Sequence, residues 1–263
     1  MTTTTLLLGG WMAMAAVMAL LWNVQRVRRN AGIVDVAWSL GTAVLGLLFA
    51  AFAAGLPARR FVIAVMAGVW GLRLGSYLWR RVMREEEDGR YQALRRQWGT
   101  RAQRNLFLFF QAQAVWALMF AVPMLIAATS TRTVIGWPDV AGIVIWIVAI
   151  GGEAAADRQL DRFRRDPAAR GKVCQVGMWR YSRHPNYFFE WLHWWAYVCL
   201  GVAAPGWWVT LLAPLVMLVF LFKITGIPAT EARALASRGD AYRAYQRTTS
   251  VFVPWPPRKG RPA

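Results

Sequence analysis

The segment Gly177 to Trp191, GMWRYSRHPNYFFEW, places Arg180, Arg183 and His184 just before a proline and sets Asn186, Tyr187 and Glu190 directly after it. Proline suits the first turn of a helix, where free backbone N–H groups and the helix dipole favour an anion. Basic residues ahead of such a turn and polar groups just inside it suit the binding of something charged. A simple helix-capping role for His184 is the alternative. A second constellation, Glu153, Asp157, Asp161 and Arg164, recurs at spacings of four, four and three, so these side chains share one helical face. An acidic stripe running into a basic cluster fits a nucleotide; the plainer alternative is a set of surface salt bridges worth about 0.3 to 0.5 kcal/mol each. A third stripe, Arg73, Tyr77 and Arg80, follows the same periodicity. Asp35 in DVAWSLG has Trp38 and Thr42 on its face, which offers either an acid beside an aromatic wall or an N-cap for the helix. Gln111 supplies an uncharged donor and acceptor, for a ligand or for an interhelical hydrogen bond.

The elements that carry these groups are apolar. Hydrophobic residues make up 57% of the 263 residues and there are 16 Trp, with a mean hydropathy of +0.32. That is too apolar for a soluble domain of this length, and polar side chains inside such spans are expensive unless turned inward. Uncharged runs cover 6–22, 36–58, 105–131 and 191–222, with further apolar stretches at 61–79 and 140–152. Ala204-Pro205-Gly206 divides the run 191–222 into two short helices. The fold class is therefore an all-α integral membrane protein of seven transmembrane helices, forming a single domain over 1–263. The first run lacks a basic flank and a small-residue cleavage site and reads as a retained span.

Charge sets the orientation. Three arginines follow the first span, eight Lys or Arg lie in each of 80–104, 158–183 and 223–263, and so 27 of the 31 fall in four regions. With cytoplasmic loops holding the excess, the N-terminus lies outside and the C-terminus in the cytoplasm. Only Arg59, Arg60, Arg73 and Arg132 fall elsewhere. The net charge of +18 is mostly topology and attraction to anionic membrane lipids; dispersed over several loops without a recognition motif, it does not read as a nucleic-acid surface. Cys174 and Cys199 are too few for a disulfide framework or zinc site, and no metal is expected.

These residues carry a resemblance. DVAWSLG at 35–41, WGLRLGSYLWRR at 70–81, EDGRYQALRRQWG at 87–99, GMWRYSRHPNYFFEW at 177–191, TGIPATEARAL and GDAYRAYQ within 225–246 resemble the membrane-embedded steroid 5α-reductase family, particularly its short seven-span bacterial branch. The resemblance implies reduction by NADPH of the carbon–carbon double bond of a Δ4-3-oxo steroid or similar enone, in the bacterial inner membrane with the site open to the cytoplasm. It implies Tyr77 as proton donor with Asp35 as its partner or a second donor. For the cofactor it implies Arg80, Asp157, Arg164, Arg183, His184, Asn186, Tyr187 and Glu190, with Lys223, Tyr242 and Tyr245 in a closing segment that also holds Glu231. Trp38, Gln111 and Glu190 are the expected substrate contacts, and His193 a packing or substrate-wall residue. The Gln-Glu pair of the animal enzymes is missing. No GxGxxG is present, so a dinucleotide would be held among helices and loops.

Two alternatives share parts of this pattern. Isoprenylcysteine-type membrane methyltransferases, which use S-adenosylmethionine, carry a similar RHPNY element and a TEARAL…AYRAYQ ending, and a non-catalytic lipid-binding protein would need no nucleotide.

Overall fold

The structure is a computed structural model that describes residues 2–224 and 226–258. Thr225, which opens the TGIPATEARAL motif, and Lys259 and Arg261, counted among the basic residues, lie outside them. The described chain is 80% helix without strands. Its helices are α1 (Thr3–Arg28), α2 (Ile33–Phe52), α3 (Pro57–Arg84), α4 (Gly89–Trp98), α5 (Ala102–Ala128), α6 (Trp137–Arg165), α7 (Pro185–Leu200), α8 (Leu212–Val219) and α9 (Ile227–Thr248).

Six helical stretches are long and apolar enough to cross a membrane: α1, α2, α3, α4 running into α5, α6, and the stretch from Trp207 that contains α8 and α9. The chain is a multi-pass membrane protein by this measure. The first of the two short helices expected from 191–222 falls on α7, which has 16 residues. At 1.5 Å per residue such a helix reaches about 24 Å, short of the roughly 30 Å hydrocarbon layer.

By internal contacts the chain forms two compact units, Met1–Asp139 with Leu200–Thr210, and Val140–Cys199 with Leu211–Ala263. In the first unit, α2 lies against α3 and α5, and α1 against α5 and α2. Small residues make the close approaches: a Cβ added at Gly71 on α3 would collide with Ala43 on α2, the kind of contact that lets helices associate in lipid without a hydrophobic driving force. Trp38 sits between Trp70 and Phe120, with ring centroids 5.9 and 5.5 Å away and edge-to-face geometry. Gln111 donates through Nε2 to the Ala15 carbonyl at 3.3 Å, an interhelical bond.

Three of the four exceptions to the charge asymmetry, Arg59, Arg60 and Arg132, have local explanations. Arg59 is 1% exposed and its Nε donates to Asp139 Oδ1 at 2.6 Å, with Nη1 and Nη2 on the Arg132 and Val134 carbonyls at 2.9 and 3.1 Å. Arg132 adds a second ion pair to Asp139 at 2.8 Å, and Arg60 donates to the Ala50 carbonyl at the end of α2. These cations hold helix ends and a loop together.

In the second unit, Pro185 occupies the first turn of α7, where its missing N–H is not needed. Proline also opens α9, and Gly239 at φ 49° kinks it. Gly177, at φ 55°, stands against Gln159 so closely that a side chain there would collide. Gln159 in turn accepts from the Met178 N–H at 2.8 Å, which fixes the loop that leads into α7.

Candidate functional site

The candidate residues divide between the two units, and each group is built by its own elements. In the first unit, Asp35 lies in the first turn of α2, whose N-cap is Gly32; the N-cap reading for Asp35 therefore moves by three residues. Its carboxylate accepts from the Tyr91 hydroxyl at 2.7 Å and from Arg90 Nη2 at 3.2 Å. Asp35 is thus bound to α4.

The same polar seam continues along the loop before α4. Asp88 caps α4 by accepting from the Arg90 N–H at 2.8 Å and pairs with Arg81 Nη2 at 2.6 Å. Glu87 takes Arg95 at 2.9 Å and the Ala31 N–H at 2.7 Å, and Arg95 reaches Gln25 at 2.8 Å. Arg90, Tyr91, Arg95 and Gln25 were not among the expected site residues, although three of them stand in the EDGRYQALRRQWG motif. Tyr77 is half-buried on α3 and Arg80 is exposed one turn further on.

In the second unit, the segment before α7 and the start of α9 meet at Glu231. Its Oε1 accepts from Arg183 Nε at 2.6 Å, lies 3.3 Å from His184 Nε2 and takes the Tyr242 hydroxyl at 3.4 Å, while Oε2 accepts from Gln246 at 2.8 Å. Arg183 also donates to the Gln246 and Thr249 carbonyls. Three expected cofactor residues, Arg183, His184 and Tyr242, are therefore gathered by a carboxylate that the sequence marked only as polar. Tyr245 donates to the Trp179 and Ser182 carbonyls, and the Ser182 hydroxyl donates to the Phe252 carbonyl at 2.7 Å. The C-terminal segment is thereby laid along the loop that precedes α7.

Just inside α7, Asn186 Nδ2 donates to Asp157 Oδ1 on α6 at 3.2 Å. The Tyr187 ring stacks on His184 at 5.3 Å with its hydroxyl 3.3 Å from Thr230. Glu190 is buried one turn on. Arg164 near the end of α6 and Lys223 ahead of α9 are exposed, so their charges are open to an incoming anion. Burial pushes the Cys174 thiol up, which keeps it protonated and a poor nucleophile. The unit thus offers a helix N-terminus, an amide–carboxylate pair and exposed cations, groups that can bind an anion.

A family model described as "Protein of unknown function (DUF1295)" matches residues 21–249, and the chain belongs to this family, a steroid 5α-reductase-like membrane family. No curated protein and no solved structure matches the chain.

Proposed function

With membership of that family as the premise, we propose that the protein is an NADPH-dependent reductase of the enone double bond of a Δ4-3-oxo steroid or similar lipid. The observation that carries this reading is the hydrogen bond between Asn186 and Asp157, which holds an amide and a carboxylate together at the first turn of α7. Asn186, Asp157 and Tyr187 would hold the ribose and nicotinamide side. The α7 N-terminus, Arg164 and Lys223 would face phosphates. Arg183, His184, Tyr242 and Tyr245 serve this site indirectly, by fixing α9 and the C-terminal segment against the loop.

Bound NADPH supplies a hydride. As the β-carbon of an enone accepts it, negative charge builds on the ketone oxygen, and a donor placed there stabilises the transition state and delivers the balancing proton. Tyr77 takes that role in this reading. Asp35, tied to Arg90 and Tyr91, fixes α4 beside the start of α2. The charge pattern of the loops supports a site on the cytoplasmic side, where NADPH is available, as this reading of a seven-span inner-membrane protein requires.

The test is purified protein incubated with NADPH and a panel of steroid-like enones, read by mass spectrometry. A gain of two hydrogens in a substrate, matched by NADPH oxidation, is the expected result. Failure to reduce any enone, together with methyl transfer from S-adenosylmethionine, would replace the reading with a methyltransferase.

A further inference from the structure

Two adjoining cavities in the first unit have no part in the proposed reduction. One, of about 550 Å³, is an apolar groove between α1 and α2 that runs from Thr5 and Phe52 at one end to Leu21, Ile33 and Trp79 at the other. From residue 5 to residue 21 of a helix is roughly 24 Å, more than the ~15 Å that half of a bilayer's hydrocarbon provides. The groove floor is open: a Cβ added at Gly9 meets nothing within 4 Å. Trp79, 48% exposed, stands at the rim, where amphipathic indoles mark headgroup level.

At that rim the second cavity begins. It has a volume of about 510 Å³, shares Ile33 with the groove, and is lined by Arg28, Arg29, Glu85, Glu86 and Glu87 among others. Two of its three carboxylates are already neutralised, Glu85 by Arg81 and Glu87 by Arg95. Glu86 is exposed and has no ion pair among the described residues. Arg29 closes α1 in a left-handed conformation at φ 51°, and Arg28 lies toward α3 with Nη1 3.6 Å from Met83 Sδ. The cavity therefore presents two cations and one carboxylate at the mouth of a slot that fits hydrocarbon.

From this continuity and charge pattern we infer that the α1–α2 groove and the Arg28–Glu86 cavity form one binding site for a glycerophospholipid whose headgroup joins a phosphate to a primary ammonium, as in phosphatidylethanolamine. An acyl chain lies in the groove. Arg28 and Arg29 take the phosphate and Glu86 takes the ammonium, which can donate hydrogen bonds where a quaternary ammonium cannot. A simple anionic lipid satisfies the arginines but leaves Glu86 facing like charge. The site is independent of the reductase reading.

Native mass spectrometry of the detergent-purified chain, titrated with phosphatidylethanolamine, phosphatidylcholine and phosphatidylglycerol of identical acyl chains, tests this. Phosphatidylethanolamine adducts should exceed both others by about fivefold, the upper end of what one partly exposed ion pair contributes. Glu86→Gln should abolish that preference. Gly9→Leu, which fills the groove, should reduce adducts of all three lipids, and Val44→Trp on the groove wall is the second variant if Gly9→Leu fails to fold. Equal retention of the three headgroups, preference for phosphatidylglycerol, or a preference untouched by Glu86→Gln or by the folded groove variant would each overturn the assignment.

Discussion

Arg183 Nε lies 2.6 Å from Glu231 Oε1, and this ion pair joins the loop before α7 to the first turns of α9. Its side chains are 11% and 15% exposed, so each charge relies on the other and on the hydrogen bonds around them. The first prediction is that Glu231→Ala, which strips partners from Arg183, His184, Tyr242 and Gln246 at once, destabilises the protein by about 2 to 3 kcal/mol, the weight of hydrogen bonds to charged groups. Glu231→Gln should lower the unfolding midpoint less, because the amide oxygen still accepts. Unchanged midpoints in both variants would separate the C-terminal segment from the stability of this unit.

A second prediction concerns the buried cluster around Asp139. Asp139→Ala leaves Arg59, 1% exposed, without its counter-ion, and breaking a buried pair from one side costs about 3 to 5 kcal/mol. Replacing both partners, Arg59→Met with Asp139→Leu, should recover much of the loss. Thermal unfolding of the three proteins in one detergent measures this, and a double variant less stable than the single would contradict it.

The apolar runs made most helices legible, because crossing a bilayer demands long uninterrupted hydrophobic segments. Span 36–58 became α2 with its start three residues earlier, since the hydrogen bond from the Gly32 N–H to Asn30 Oδ1 orders the turn before it. The element missed was α4, where five charged or amide side chains hide a ten-residue helix that docks by ion pairs. Asp157 was nominated from spacing and Asn186 from its motif, yet their hydrogen bond depends on where α6 and α7 are placed. Glu231 was underweighted for the same reason: a carboxylate 48 positions from Arg183 has no local signature. The ring packing of Trp38 and the interhelical bond of Gln111 likewise depend on helices distant in sequence.

Acid should act on the loop before α4. Burial works to raise the pKa of Asp88, and the Arg90 charge and N–H together with Arg81 outweigh it, holding the carboxyl at about 2. A folded value below the ordinary one of roughly 3.9 means that this stabilisation is complete above that pH and is lost as pH falls through about 2. The wild-type unfolding midpoint should therefore drop between pH 4 and pH 2, and Asp88→Asn, which has nothing to protonate, should be less stable at pH 5 and respond less to acid. Parallel acid profiles would contradict the prediction.

Tyr77→Phe separates catalysis from binding. Removing the hydroxyl while keeping the ring should lower turnover on a confirmed enone by about 10² or more, with NADPH affinity unchanged. Normal turnover would move the proton donor elsewhere.

The proposed function rests most directly on the nucleotide. Isothermal titration of detergent-purified protein should show saturable binding of NADPH and none of S-adenosylmethionine, and Asn186→Ala should weaken the NADPH affinity by about 1 to 3 kcal/mol, the range for leaving a partner unmet. Binding of S-adenosylmethionine in place of NADPH, or NADPH affinity indifferent to Asn186→Ala, would contradict the account.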